Sequence, residues 1–289
     1  MLLTLEAYPS PRALCSDWGL KPHKGLGQNF LENPRTLCAI ASFFPVSSGT
    51  AALEIGPGLG HLTLALLESG YAAVSAIEVD TDLQAPLAAL TEACPQIKIH
   101  FADARALRWD ELLDNGSQRV LFGNLPYYIS TELFTKALLD CADFDHMVFL
   151  LQKEAAVRLT APEGQRQYGP SSVLYHLYGS IAKKMTVPLS DFYPRPGVSS
   201  LALFLQGDGI LGDWERKRRY AFYDFLRIAF RMRRKTLENN LKGTVWDLGR
   251  QDFPELEKMM KLYGGRRPET LSSQDFSELF QIGEMCYES

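Results

Sequence analysis

The chain has 289 residues, room for one large domain or two ordinary ones, and is 46% hydrophobic and 22% charged, the balance of a soluble globular protein. Its net charge of −4 speaks at first against a nucleic-acid partner, and no apolar run approaches the roughly 18 residues of a membrane span. Five scattered cysteines without a CxxC pair suggest neither disulfides nor a metal site, and no secretory leader is evident, so a reducing cytoplasmic setting is expected, with no membrane.

Residues 1–20 read as a loosely held leader. "KPHKGLGQNFL" (21–31) is a basic, glycine-containing loop. Asn33 then offers a cap and Pro34 a first turn for a helix through "RTLCAIASFF". Beyond it, the spacing predicts strands over 51–56, 72–79, 96–101, 118–123 and 145–152. Helices are expected between and after them, over 60–69, 80–91, 130–139 and 153–160. This alternation implies right-handed βαβ units and a mostly parallel sheet covered on both faces. A helix over 171–180 and two strands, 183–189 and 198–206, follow; the strands suggest an antiparallel pair at one edge. "QGDGILGD" (206–213) is the best boundary in the chain. After it only helical patterns remain: 214–230, 232–242, 254–262 and 272–281, the last opened by the capping pair Ser272 and Asp275. The expected organisation is therefore a leader (1–20), an α/β catalytic domain (21–207) and a small all-α domain (208–289). The modest net charge hides an asymmetry. Residues 214–267 hold fifteen Lys and Arg against seven Asp and Glu, a basic segment on an acidic body, the footprint left either by phosphate binding or by a solvated helical surface.

Three strand ends carry signals for a nucleoside. "EIGPGLG" places Gly56, Gly58 and Gly60 where a ligand must approach backbone and a helix N-terminus. The third glycine comes one residue early for a dinucleotide fingerprint, which favours a nucleoside without a pyrophosphate. Glu78, twenty-two residues after Gly56, ends the next strand and can accept both ribose hydroxyls, with Asp80 left to cap the following helix. Asp103 ends the third and can accept an adenine amine. In this order the signals resemble those of S-adenosylmethionine-dependent methyltransferases with a Rossmann-like domain. The fourth strand end, "GNLPYY", suits methyl transfer to an adenine N6 amine. The Asn124 side-chain oxygen and the Leu125 carbonyl can accept its two N–H groups and aim its lone pair at a methyl donor. Pro126 fixes that carbonyl, and Tyr127 offers a face for stacking. A base within a duplex cannot enter such a site, so the substrate is single-stranded, looped or flipped.

"KGLGQNFL", "EIGPGLG", "IEVD", "ADA", "GNLPYYIS", "LLQKEAAVRL", "FYPRPGVSS" and "RMRRKTLENNL" occur in this order. On these motifs the chain resembles the ribosomal-RNA adenine dimethyltransferase family from about Lys21 to Phe280. The resemblance implies a Rossmann-like class I methyltransferase sheet and S-adenosyl-L-methionine as donor. It implies that Asn29 and Leu31 close over the donor's methionine end, and that Gly56, Gly58, Glu78, Asp103 and Asn124 contact the donor. Phe192 would sandwich the target base against Tyr127. The implied substrate is a pair of adjacent adenosines in a hairpin loop near the 3′ end of 16S rRNA, within an immature small subunit. The chain departs from the family pattern at Arg195, Ser199 and Pro268. If "RIAFRMRRKTLENNL" is one helix, Arg227, Arg231 and Arg234 share a face beside Lys235 and can track RNA phosphates. Arg233 or Arg234 can instead anchor the helical domain through an acidic partner. A monomer is expected, and no DNA partner. The alternatives are a 23S rRNA adenine-N6 methyltransferase, a DNA adenine methyltransferase, and an assembly factor with a dead catalytic core.

Overall fold

The structure, a computed structural model, describes residues 3–113, 118–246 and 254–288. They form two compact units, Met1–Ala156 with Ser180–Asp208, and Val157–Gly179 with Gly209–Ser289.

The first unit opens with helix α1 (Pro11–Asp17), capped by Ser10, whose hydroxyl accepts the Ala13 N–H. The expected loose leader is in fact packed: Leu5, Leu14 and Cys15 are buried in the core. The segment is too short for its apolar residues to show a period, which is why sequence missed it. A short strand β1 (Phe30–Leu31) and helix α2 (Pro34–Ala41) follow, the latter capped by Asn33 as expected. The sheet then builds from β2 (Ala51–Ile55), β3 (Ala73–Glu78), β4 (Ile97–Phe101), β5 (Arg119–Asn124) and β6 (His146–Gln152). Helices α3 (His61–Glu68), α4 (Gln84–Ala93) and α5 (Ser130–Asp140) connect them. Helix α6 (Lys153–Leu159) follows β6 and crosses the division between units.

Strand order is β4-β3-β2-β5-β6, all parallel, then two later strands, β9 (Ser200–Gln206) and β7 (Ser180–Val187). β9 runs antiparallel between β6 and β7, so the expected antiparallel pair lies at this edge. The inner strands read as continuous apolar runs because both faces are covered: all five residues of β2 are buried, as are Val120, Leu121 and Phe122 of β5. Edge strand β7 is largely exposed and carries Lys183 and Lys184, charges that discourage pairing with another chain. Strand order reverses between β2 and β5, where an open α/β sheet binds its ligands. A separate ribbon joins β1 to β8 (Phe192–Tyr193), with Phe30 opposite Tyr193 and Leu31 opposite Phe192.

The second unit contains α7 (Pro170–Tyr178), α8 (Arg216–Ala229), α9 (Leu237–Leu241), α10 (Pro254–Tyr263) and α11 (Ser273–Glu288). Its core is aromatic, with Trp214, Phe222, Phe225, Phe276 and Phe280 buried together. This unit comprises Val157–Gly179 as well as the stretch from Gly209 onward, whereas the expected organisation assigned 157–179 to the α/β domain. Helix α7 packs on α8 and α11, and a helix's apolar stripe looks the same whichever partner it meets. The capping pair of α11 is present: the Ser272 N–H donates to Asp275 at 2.9 Å, and the Asp275 N–H to the Ser272 hydroxyl at 3.1 Å.

One expected helix is broken. Over 232–242 only Leu237–Leu241 is helical. Buried Asn240 accepts the Met232 N–H at 3.0 Å and donates to the Met232 carbonyl at 3.2 Å, fixing a turn that Thr236 then caps into α9. Arg231, Arg234 and Lys235 lie in that turn, so they do not continue the helical face of Arg227. The Arg233 guanidinium donates to the main-chain carbonyls of Arg166 and Tyr168 in its own unit, and among the described residues no acid pairs with it.

Candidate active site

Four strand ends of the parallel sheet meet along one rim. At the end of β2 the backbone turns through Gly56 (φ +75) and Gly58 (φ +57), conformations that L side chains resist. An added Cβ on Gly58 would lie 2.8 Å from the Phe30 ring, whereas one on Gly56 meets nothing within 4 Å. The space before Gly56 is therefore open while its neighbour is tightly packed. The Gly58 N–H donates to Glu78 Oε2 at 3.1 Å, and the Asp80 N–H to Glu78 Oε1 at 2.8 Å. Asp80 caps the next turn through the Asp82 N–H, as expected. Glu78 is not the unengaged acid that the sequence suggested, although each carboxylate oxygen keeps a second lone pair. Burial pushes its carboxyl up, and the N–H groups of Asp80, Gly58 and Val79 oppose that rise. Beneath it, buried Glu54 is pushed up to about 7 by burial, against the pull of the Thr63 hydroxyl at 2.6 Å.

Asp103, after β4, is held by Arg105. The guanidinium donates at 3.0 Å from Nε and 2.6 Å from Nη2, and this pairing holds the carboxyl below its usual range. Sequence reading did not foresee the clasp, though the spacing Asp-x-Arg permits it. After β5, Asn124 Nδ2 donates to the Asn29 carbonyl at 3.0 Å, tying the 21–31 loop to the rim. Among the described residues no donor reaches Asn124 Oδ1 or the Leu125 carbonyl, although the Leu125 N–H is held by the Leu150 carbonyl at 3.1 Å. Two acceptors thus stand unengaged side by side at one strand end.

These groups line one cleft that is open to solvent. It brings together Asn29, Gly56, Gly58, Glu78, Asp103, Asn124, Leu125, Pro126 and Tyr127. It also enlists Gln28, Arg105 and Tyr128, which the sequence did not single out; Tyr128 adjoins Tyr127 and is 59% exposed. Leu31 is not in this cleft. It is buried in the ribbon and faces a smaller adjoining space with Gly56, His61 and Asn124. Phe192, expected to sandwich the target base, is 2% exposed, belongs to the core cluster and is not among the residues that line the cleft. Residues "FY" at the start of a proline-rich loop do not reveal which ring turns inward. The four RNA-binding candidates, Arg227, Arg231, Arg234 and Lys235, are exposed in the second unit. Arg227 pairs with Asp224 at 3.5 Å, and Arg231 donates to the Asn240 carbonyl.

The donor set suits a nucleoside with a sulfonium tail: a bare glycine face, an apolar wall that includes Ile55 and Ile77, and two acids spaced along consecutive strand ends. Fold and site together define a Rossmann-like methyltransferase with a helical appendage.

The ribosomal RNA adenine dimethylase family model matches residues 19–277. A Ribosomal RNA small subunit methyltransferase A from Anaeromyxobacter sp. (strain K) is 36% identical, with 95% of this chain and 98% of that protein covered. A protein of the same name from Syntrophotalea carbinolica is 37% identical, covering 91% and 97%. Among solved structures, a dimethyladenosine transferase from Plasmodium falciparum has TM-score 0.67 at 24% identity, covering 88% of this chain and 98% of that one. The 23S rRNA methyltransferase ErmE has TM-score 0.60 at 19% identity, covering 89% and 100%. These two likenesses concern the fold. The chain belongs to the ribosomal RNA adenine dimethylase family. No helix of the described residues is long and apolar enough to cross a membrane.

Proposed function

We propose that this chain dimethylates N6 of two adjacent adenosines in a hairpin loop near the 3′ end of 16S rRNA, within the immature small subunit and in the cytoplasm. The observation that carries the reading is the pair of unengaged acceptors, Asn124 Oδ1 and the Leu125 carbonyl, on the rim beside Tyr127. S-adenosylmethionine, when bound, supplies an electrophilic methyl group. Glu78 receives the ribose hydroxyls on its remaining lone pairs. Asp103 receives the adenine amine once Arg105 swings aside. Asn124 and Leu125 accept the two N–H groups of the target amine, which favours a pyramidal nitrogen with its lone pair directed outward. Tyr127 stacks on the base, and Pro126 keeps the Leu125 carbonyl fixed. The methylated nitrogen is acidic and releases its proton to water, so positioning supplies most of the rate.

Arg227, Arg231, Arg234 and Lys235 are proposed to meet RNA phosphates, and the chain to act as a monomer. Binding to an assembling subunit is also proposed to serve its biogenesis. The test is transfer of labelled methyl groups to undermethylated small subunits and to naked 23S fragments, with products identified as nucleosides. N6,N6-dimethyladenosine in small subunits alone is expected. Label in the 23S fragments alone would overturn the substrate assignment. Asn124→Ala is expected to lower transfer by roughly 10²–10³, the effect of losing one aligned group at a reacting centre, while subunit binding persists. Loss of binding with transfer would remove the case for a separate assembly role.

A further inference from the structure

We infer that the segment from Leu5 to Arg12, ahead of the residues that the family model matches, is a brace for the glycine loop, with Tyr8 as its positioning residue. The inference rests on the reading that this loop receives the methyl donor. The segment begins at buried Leu5, leads into buried Leu14 and Cys15 of α1, and meets α3 at both of its ends. At the end of α3, the Leu5 N–H donates to Glu68 Oε1 at 2.7 Å. At its start, the Pro9 carbonyl lies 3.0 Å from His61 Nε2. Burial pushes His61 down to about 4, so the ring is neutral near pH 7 and donates to Pro9 only when its proton sits on Nε2. Between these points the Tyr8 phenol donates to the Leu59 carbonyl at 2.8 Å. Leu59 directly follows Gly58, the residue whose N–H holds Glu78.

A second line of contacts runs to the same loop from the other side. The Arg12 guanidinium sits 5.0 Å from the centroid of the Tyr193 ring. Tyr193 pairs with Phe30 in the ribbon, and the Phe30 ring fills the place a Gly58 Cβ would need. The glycine loop is thus held at two points, through the Leu59 carbonyl and through the Phe30 ring against Gly58. A loop with three glycines in the left-handed region has little stiffness of its own, and the cost of ordering it would otherwise fall on ligand binding.

The test uses the full chain and S-adenosylhomocysteine as probe, with affinity by calorimetry, kinetics with undermethylated small subunits, and thermal midpoints. Tyr8→Phe keeps the ring, including its tilted contact with His61 at 5.0 Å, and removes only the hydroxyl. One lost hydrogen bond at the loop is expected to weaken the probe by about three- to tenfold and to raise the donor KM alike. Saturated kcat and the KM for subunits are expected to stay as they are. Tyr8→Leu, lacking the ring too, is expected to be weaker still, with Tyr8→Phe as the partial rescue. Gly56→Val serves as control for the loop. If Gly56→Val loses the probe while Tyr8→Phe binds it as the unaltered chain does, the brace is wrong. If Tyr8→Phe lowers kcat in step with a lower thermal midpoint and leaves both KM values unchanged, the segment merely stabilises the fold and the brace is again wrong. If Gly56→Val binds the probe undiminished, the donor does not use this loop, and the site reading falls together with the brace.

Discussion

If Asp103 receives an adenine amine, as proposed, Arg105, which donates to the same carboxylate inside the cleft, is its competitor. Both partners are substantially exposed, so the pair is readily exchanged. Arg105→Ala is expected to tighten S-adenosylhomocysteine binding by at most a few-fold, read by calorimetry; weaker binding would mean that Arg105 contacts the nucleoside itself. Glu54 gives a sign-definite pH dependence. Raised from 4.5 to about 7, it holds its proton more tightly folded than unfolded. That stabilisation is whole below pH 4.5 and is lost as pH rises through about 7, an effect on the order of 3 kcal/mol. Glu54→Gln keeps an acceptor for Thr63 and removes the titration. Urea midpoints of the unaltered chain should fall between pH 5 and 8 relative to those of Glu54→Gln; parallel profiles would show that Glu54 ionises normally.

The turn over 230–236 is defined by one side chain. Asn240 is fully buried and both ends of its amide are bonded to the Met232 main chain. Asn240→Ala leaves that donor and acceptor without their partner and is expected to cost about 1–3 kcal/mol in denaturant unfolding, whereas a change near zero would show that the turn forms without it. This element also marks where sequence reading stops. β2 and β5 were legible because strands covered on both faces must be apolar throughout, and the glycine turn because only glycine tolerates its backbone. Glu78, Asp103 and Asn124 were legible as polar residues that end apolar runs. The break before α9 was not, because "RMRRKTLENNL" satisfies a helical pattern and the interruption comes from a bond spanning eight residues. The inward turn of Phe192 and the partner of α7 depend on tertiary packing, which local patterns do not record. Arg105 was missed because its pairing with Asp103 competes with the function assigned to that acid.

Across the whole chain, an acidic total coexists with a basic helical unit, so charge acts by location. Arg234 and Lys235 project from the turn and are exposed, free of the ladder that a helical face would impose. If they meet phosphates, replacing both by Ala should flatten the slope of log K against log salt for subunit binding by about 0.7–0.9 for each phosphate no longer neutralised. An unchanged slope would move the RNA surface elsewhere. The central claim concerns the rim: a methyl-donor nucleoside on Glu78 and Asp103, facing the acceptors of Asn124 and Leu125. A crystal structure with S-adenosylhomocysteine tests it most directly. The account predicts ribose hydroxyls within hydrogen-bond distance of Glu78, the adenine amine on Asp103 with Arg105 displaced, and Asn124 Oδ1 still open to the cleft. A ligand lodged away from these strand ends, or Asn124 Oδ1 turned inward onto a protein donor, would contradict it.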